Sequence, residues 1–125
     1  MKNYKDDFDE FMIGVNGDNP IGIWWSLGLS DHDELSLKEK FNLFKEFFCF
    51  AIKENRIIEY DLKKNVAIFS RDEPDVVFDR IFADFPWDKV DENSSDENKY
   101  FDIYMHTKFD GWATLCAGTY LFIPQ

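Results

Sequence analysis

Between Ser36 and Asn55 the chain carries a helix that must sit at the centre of whatever it folds into. Ser36-Leu37-Lys38-Glu39 has the form of a capping box, in which the serine hydroxyl and the glutamate carboxylate each satisfy a free amide at the helix start. Leu37, Phe41, Phe44, Phe48 and Ala51 then fall on one face, and Leu43, Phe47 and Phe50 widen it. An apolar stripe that covers so much of the circumference has to be buried, so this helix is expected to be central and to end near Glu54-Asn55.

The flanking segments supply its packing partners. Tyr4, Phe8, Phe11, Met12 and Val15 recur at helical spacing opposite Lys5, Asp6, Asp7, Asp9 and Glu10, which predicts an amphipathic first helix. Asn19-Pro20 reads as an N-cap with proline at the first helical position, opening a short helix that contains Trp24 and Trp25. After the central helix, Arg56–Leu62 and Val66–Phe69 read as two strands of a hairpin joined by Lys63-Lys64-Asn65. Ser70 or Asp72 is the expected cap of a further helix, with Pro74 in its first turn, a stripe of Val77, Phe78, Ile81, Phe82 and Phe85, and Pro86 as its stop. Residues 88–99 are polar and acidic and read as a surface loop. Phe101, Ile103 and Met105 alternate with Asp102, Tyr104 and His106, the pattern of a strand with one wet face. Phe109-Asp110-Gly111 is a turn, and Trp112–Ala117 and Thr119–Ile123 complete a β-rich end with Gly118 at a bulge or kink. The expected architecture is α+β: one compact domain over residues 1–125, with N-terminal helices and a central buried helix packed on a small antiparallel sheet.

Charge sorts the possible functions. The net charge is −11. Residues 1–35 hold eight acids and two lysines, residues 36–71 eight bases and five acids, and residues 72–102 eleven acids against Arg80, Lys89 and Lys99. Nucleic acid and anionic membranes are held by clusters of Lys and Arg, so neither is an expected partner. A basic protein surface is, because an acidic field speeds its capture. The other reading of the same acid is solubility for a sticky chain, since 18% of the residues are aromatic and fourteen are Phe. No apolar h-region follows the acidic start, and the longest apolar run, Phe47–Ile52, is far short of the roughly 20 residues that span a bilayer. Cys49 and Cys116 lie far apart in apolar surroundings, as free thiols of a reducing compartment do. The expected location is the cytoplasm.

Motifs of catalysis are scarce. His32, in Ser30-Asp31-His32-Asp33-Glu34, has no second His or Cys at ligand spacing, so a solvated loop is expected there, not a metal site. Cys49 stands inside Phe-Phe-Cys-Phe, and neither thiol is near the charges that would activate it; His106 reads as structural or interfacial. No glycine-rich phosphate loop or nucleophile elbow occurs, and no cofactor is expected. Carboxylates are abundant, so an enzyme using a carboxylate pair is kept as a minority alternative.

Three stretches, Phe44-Lys-Glu-Phe-Phe-Cys-Phe-Ala-Ile-Lys-Glu-Asn-Arg-Ile-Ile, Phe82-Ala-Asp-Phe-Pro-Trp and Gly111-Trp-Ala-Thr-Leu-Cys-Ala-Gly, give residues 36–123 an order of features that resembles the small acidic immunity proteins of bacterial contact-dependent growth inhibition. The resemblance implies a non-catalytic protein that neutralises one cognate toxin, commonly a nuclease, by one-to-one binding. It carries over no catalytic residues. The acidic segment is the expected contact: Asp72, Glu73, Asp75, Asp79, Asp88, Asp91, Glu92, Asp96 and Glu97, with Trp87 and Tyr100 as anchors. The alternative of a different class is an acidic adaptor that binds a basic segment of a housekeeping protein.

Overall fold

The computed structural model describes residues 19–94, 98–108, 110–116 and 120–122, with residues 115, 116 and 120–122 described by their backbone alone. The helix expected over residues 4–15 lies outside them, as do Asp96, Glu97, Phe109 and Gly118.

Helix α1 (Pro20–Ser26) starts as its sequence predicts: the Asn19 side chain accepts the Gly22 N–H at 3.0 Å, and Pro20 takes the first helical position. A 3-10 turn, Leu29–Asp31, leads to α2 (Leu37–Lys53), whose capping box is formed in both directions. Ser36 Oγ accepts from the Glu39 N–H at 3.2 Å, and Glu39 Oε1 accepts from the Ser36 N–H at 3.1 Å. Just past its end Asn55 stands at φ 58°, in the left-handed region that Asn tolerates better than other side chains do. Strands β1 (Ile57–Asp61) and β2 (Val66–Ile68) form the expected hairpin. Asn65, at φ 55°, turns the chain there and accepts the Tyr60 hydroxyl.

Two expectations need correcting downstream. Helix α3 (Pro74–Ile81) is capped by Glu73 through its backbone alone, and not by Ser70 or Asp72. Both of those side chains instead bond to Arg80, and Pro74 fixes the start without them. The helix also ends at Ile81, ahead of Pro86, because the chain turns after it and lays Phe85 and Trp87 against Phe41. The larger correction concerns residues 99–107. The segment expected to be a strand is helix α4 (Lys99–Thr107), with Asn98 Oδ1 accepting the Tyr100 and Phe101 N–H groups. Phe101 and Met105, one turn apart, are buried, whereas Ile103 between them is 53% exposed. The 3.6-residue period holds and the alternation is incidental.

Strands β3 (Gly111–Cys116) and β4 (Tyr120–Phe122) complete an antiparallel sheet of order β2-β1-β3-β4 among the described residues, giving the α+β architecture. Ile57 and Glu59 alternate onto the face that meets the helices, and Trp112, in register with Glu59, packs its ring 5.1 Å from that of Phe48. Gly111 holds φ 95°, and a Cβ there would meet Ile81 Cγ2 at 3.4 Å, so this position lets β3 run close under α3. The core is chiefly aromatic. Phe41, Phe44 and Phe48 of α2 meet Phe78 and Phe82, Trp24 of α1 meets Phe44 and Phe101, and Phe85 joins Phe41 to Phe101. Most of these pairs are tilted or edge-on, the geometry ring quadrupoles favour.

Candidate protein-binding face

The segment that holds the suspected contact residues runs antiparallel along α2. Asp75 lies close enough to Cys49 for its charge to be felt by the thiol, Asp79 pairs with Lys45 at 2.8 Å, and the Phe82 ring meets Phe44 at 5.6 Å. Further along, Phe85 and Trp87 meet Phe41, Lys38 Nζ sits 4.7 Å above the Trp87 ring, and the carbonyls of Glu92 and Ser94 accept the N–H groups of Lys38 and Leu37. These last bonds use two amides that the start of α2 would otherwise leave free. At 1.5 Å per residue, the stretch of α2 from Leu37 to Cys49 is about 18 Å long. One acidic strip thus follows one helix, a relation that sequence order alone does not reveal.

Its members differ in what they have left to offer. Asp72 is bound to Arg80 Nη1 at 3.0 Å, while Arg80 grips Glu59 of β1 through Nε and Nη2 at 2.7 Å each. Those bonds to Glu59, and then to Asp72, raise the guanidinium pKa. Asp79 is committed to Lys45, and Asp91 Oδ1 accepts the Asn93 N–H. Glu73, Asp75, Asp88 and Glu92 are exposed, and their carboxylates have no cation among the described residues. Trp87 is half-buried, with Phe41, Phe85 and Lys38 around its ring. Tyr100 is 44% exposed at the start of α4, with Lys89 and Lys99 at 5.4 and 6.0 Å from its ring. The Lys89 contact ties it to the 88–92 end of the strip.

The groups considered for chemistry lie elsewhere. Burial pushes the Cys49 thiol above its ordinary pKa, the opposite of activation. His32 Nδ1 lies 2.9 Å from Glu34 Oε1 in its loop. His106 is on α4, with Nδ1 2.8 Å from the Asp102 carbonyl oxygen and its ring 5.7 Å from that of Trp25, and not on the wet face of a strand. Among the described residues no three His, Cys, Asp or Glu side chains converge as metal ligands would, and no helix is long and apolar enough to cross a membrane.

Sequence reasoning passed over Trp25, which is 58% exposed, and Lys40, which is 1% exposed. A signal for Trp25 was present: in Ile21-Gly22-Ile23-Trp24-Trp25 only one of two adjacent indoles can face the core of a short helix. Fold and face together define a small acidic α+β protein with a carboxylate strip along its central helix. No family model, curated protein or solved structure matches the chain.

Proposed function

We propose that this protein binds a basic partner protein through the strip beside α2, and that the partner is a cognate toxin domain, a nuclease, which it neutralises one-to-one in the cytoplasm. The observation that carries the reading is the set of exposed carboxylates, Glu73, Asp75, Asp88 and Glu92, that have no cation partner among the described residues of a chain of net charge −11. Exposed negative charge along some 18 Å of helix is a template for a basic surface, and nucleases need such surfaces to hold phosphate. Long-range attraction would speed capture, and the strip would occupy ground the nucleic acid needs. The resemblance in feature order to immunity proteins points the same way.

The test is capture of tagged protein from its native cell, with the product of the neighbouring open reading frame included, followed by association kinetics across a salt series. A stoichiometric basic toxin domain is expected. The variant Glu73→Gln/Asp75→Asn/Asp88→Asn/Glu92→Gln should associate at least about tenfold more slowly and with a flatter salt slope. Asp72 and Asp79 are left alone because their loss would take one partner from Arg80 and the ion-pair partner from Lys45. An unchanged rate and slope would remove the strip from the contact, and recovery of a housekeeping protein would favour the adaptor.

A further inference from the structure

A groove of about 750 Å³ lies between α1 and the start of α4, and its lining includes none of residues 72–92. Ile21, Leu35 and Phe101 are among its apolar lining, and Trp25, the most exposed tryptophan among the described residues, stands at its edge. Two carboxylates, Asp33 and Asp102, line it as well. Two lysines also border it, one buried and one exposed. Lys40 is almost wholly buried and interacts within the fold, and Lys99 Nζ is 6.0 Å from the Tyr100 ring. Beside these lysines the groove presents the Trp25 indole and the Asp33 and Asp102 carboxylates to an incoming group.

We infer that this groove is a seat for an arginine side chain of the basic partner. The inference rests on the reading above and names the kind of residue that anchors it. A guanidinium is planar, so it stacks on an indole while its N–H groups reach carboxylates at the rim; an ammonium is a more strongly hydrated point charge and does the first of these poorly. Trp25 is well placed for the task. The His106 ring stands edge-on to it at 72°, and Asp102 lies one helical turn before His106 with its carboxylate 3.4 Å from Nδ1. The imidazole thus links the indole to one of the two carboxylates. Trp87, the anchor suggested by sequence, has its ring among Phe41, Phe85 and Lys38, so the exposed indole for a hot spot is Trp25.

The test needs no partner. Isotope-labelled protein is titrated with N-acetyl-arginine methylamide, with the lysine and the neutral citrulline counterparts as controls, and read from tryptophan indole and backbone N–H resonances. The arginine compound should move the Trp25 indole saturably and leave those of Trp24 and Trp112, both buried, in place. The citrulline and lysine compounds should bind about tenfold more weakly, as should arginine to Asp33→Asn/Asp102→Asn, and Trp25→Leu should abolish the saturable response. Unmoved Trp24 and Trp112 resonances in the variants verify the fold. A citrulline or lysine response equal to that of arginine, shifts spread evenly over the acidic strip, or no saturable shift would each overturn the assignment. The two readings fail separately: a basic partner captured through the strip with no arginine response at Trp25 sinks only the groove, and an arginine response with no basic partner sinks only the function.

Discussion

Lys108 is a deeply placed cation, its side chain 5% exposed just after α4. Its Nζ meets Asp84 Oδ1 and Asp110 Oδ1 at 3.1 Å each, and Asp84 Oδ1 also accepts the Tyr104 hydroxyl at 2.7 Å. Burial alone would raise the Asp84 pKa, but the hydrogen bonds from Tyr104 and Lys108, with the charge of Lys108, outweigh it and hold the carboxyl below its ordinary value. The same contact works the other way on Tyr104, whose pKa burial and Asp84 together raise. A carboxyl depressed in the folded state adds stability above its unfolded pKa, near 3.8, and loses it as pH falls through the folded value. Asp84→Asn should therefore cost about 1 kcal/mol at pH 7, modest because Asp84 is largely exposed and Asp110 still faces Lys108. Urea denaturation from pH 7 to pH 2.5 should show the gap between variant and parent closing below about pH 4. A constant gap would mean that Asp84 acts by packing and not by charge. None of this cluster was legible beforehand, because Asp84 stands 20 residues before Tyr104 and 24 before Lys108, and only the fold brings it to them.

Elements were far more legible than residues, and the reason is local. The start of α2 is written within four positions, Ser36 to Glu39, and both capping bonds form. Removing one end, Ser36→Ala, should lower stability by about 1 kcal/mol in chemical denaturation with the slope unchanged. A larger loss would mean that the cap also positions the Glu92–Ser94 carbonyls on Leu37 and Lys38. The hairpin was similarly readable, since Asn65 is a turn residue standing between two β-rich runs. Helix α4 was not. Phe101, Ile103 and Met105 alternate with polar residues over a window too short to separate a period of 2 from one of 3.6, and the apolar side chain that breaks the helical stripe, Ile103, is the exposed one. The Asn98 cap was the decisive signal, one residue ahead of the helix at the end of a stretch that reads as loop. For α3 the failure was narrower: Pro74 marked the start, but the nearby cap-like side chains, Ser70 and Asp72, are drawn to Arg80 across space. The acidic composition of the candidate face could be read from the sequence, whereas its alignment with α2 and the separation of paired from unpaired carboxylates could not.

At the scale of the whole molecule, the excess of acid sets stability against capture. Two like charges about 10 Å apart in water repel by about 0.4 kcal/mol at low salt, and salt near 0.15 M screens most of that. The carboxylates of Glu73, Asp75, Asp88 and Glu92 have no ion-pair partner among the described residues, so no such pair there offsets the long-range repulsion of a chain of net charge −11. If they exist to meet a basic partner, the free protein bears a strain that binding relieves, and the two effects can be measured on one variant. Glu73→Gln/Asp75→Asn/Asp88→Asn/Glu92→Gln should be more stable than the parent at low salt by about 1 kcal/mol, on the order of 4 °C in Tm. Added sodium chloride should raise the parent's Tm more than the variant's, until the two nearly meet. The same variant should capture its partner more slowly. Higher stability with slower capture is the expected sign of charge placed for function at the expense of fold stability. A variant that is less stable at low salt would instead show these carboxylates holding the fold. A variant that is more stable and captures its partner just as fast would show them acting as solubilising charge, the other sense in which so acidic a sequence can be read.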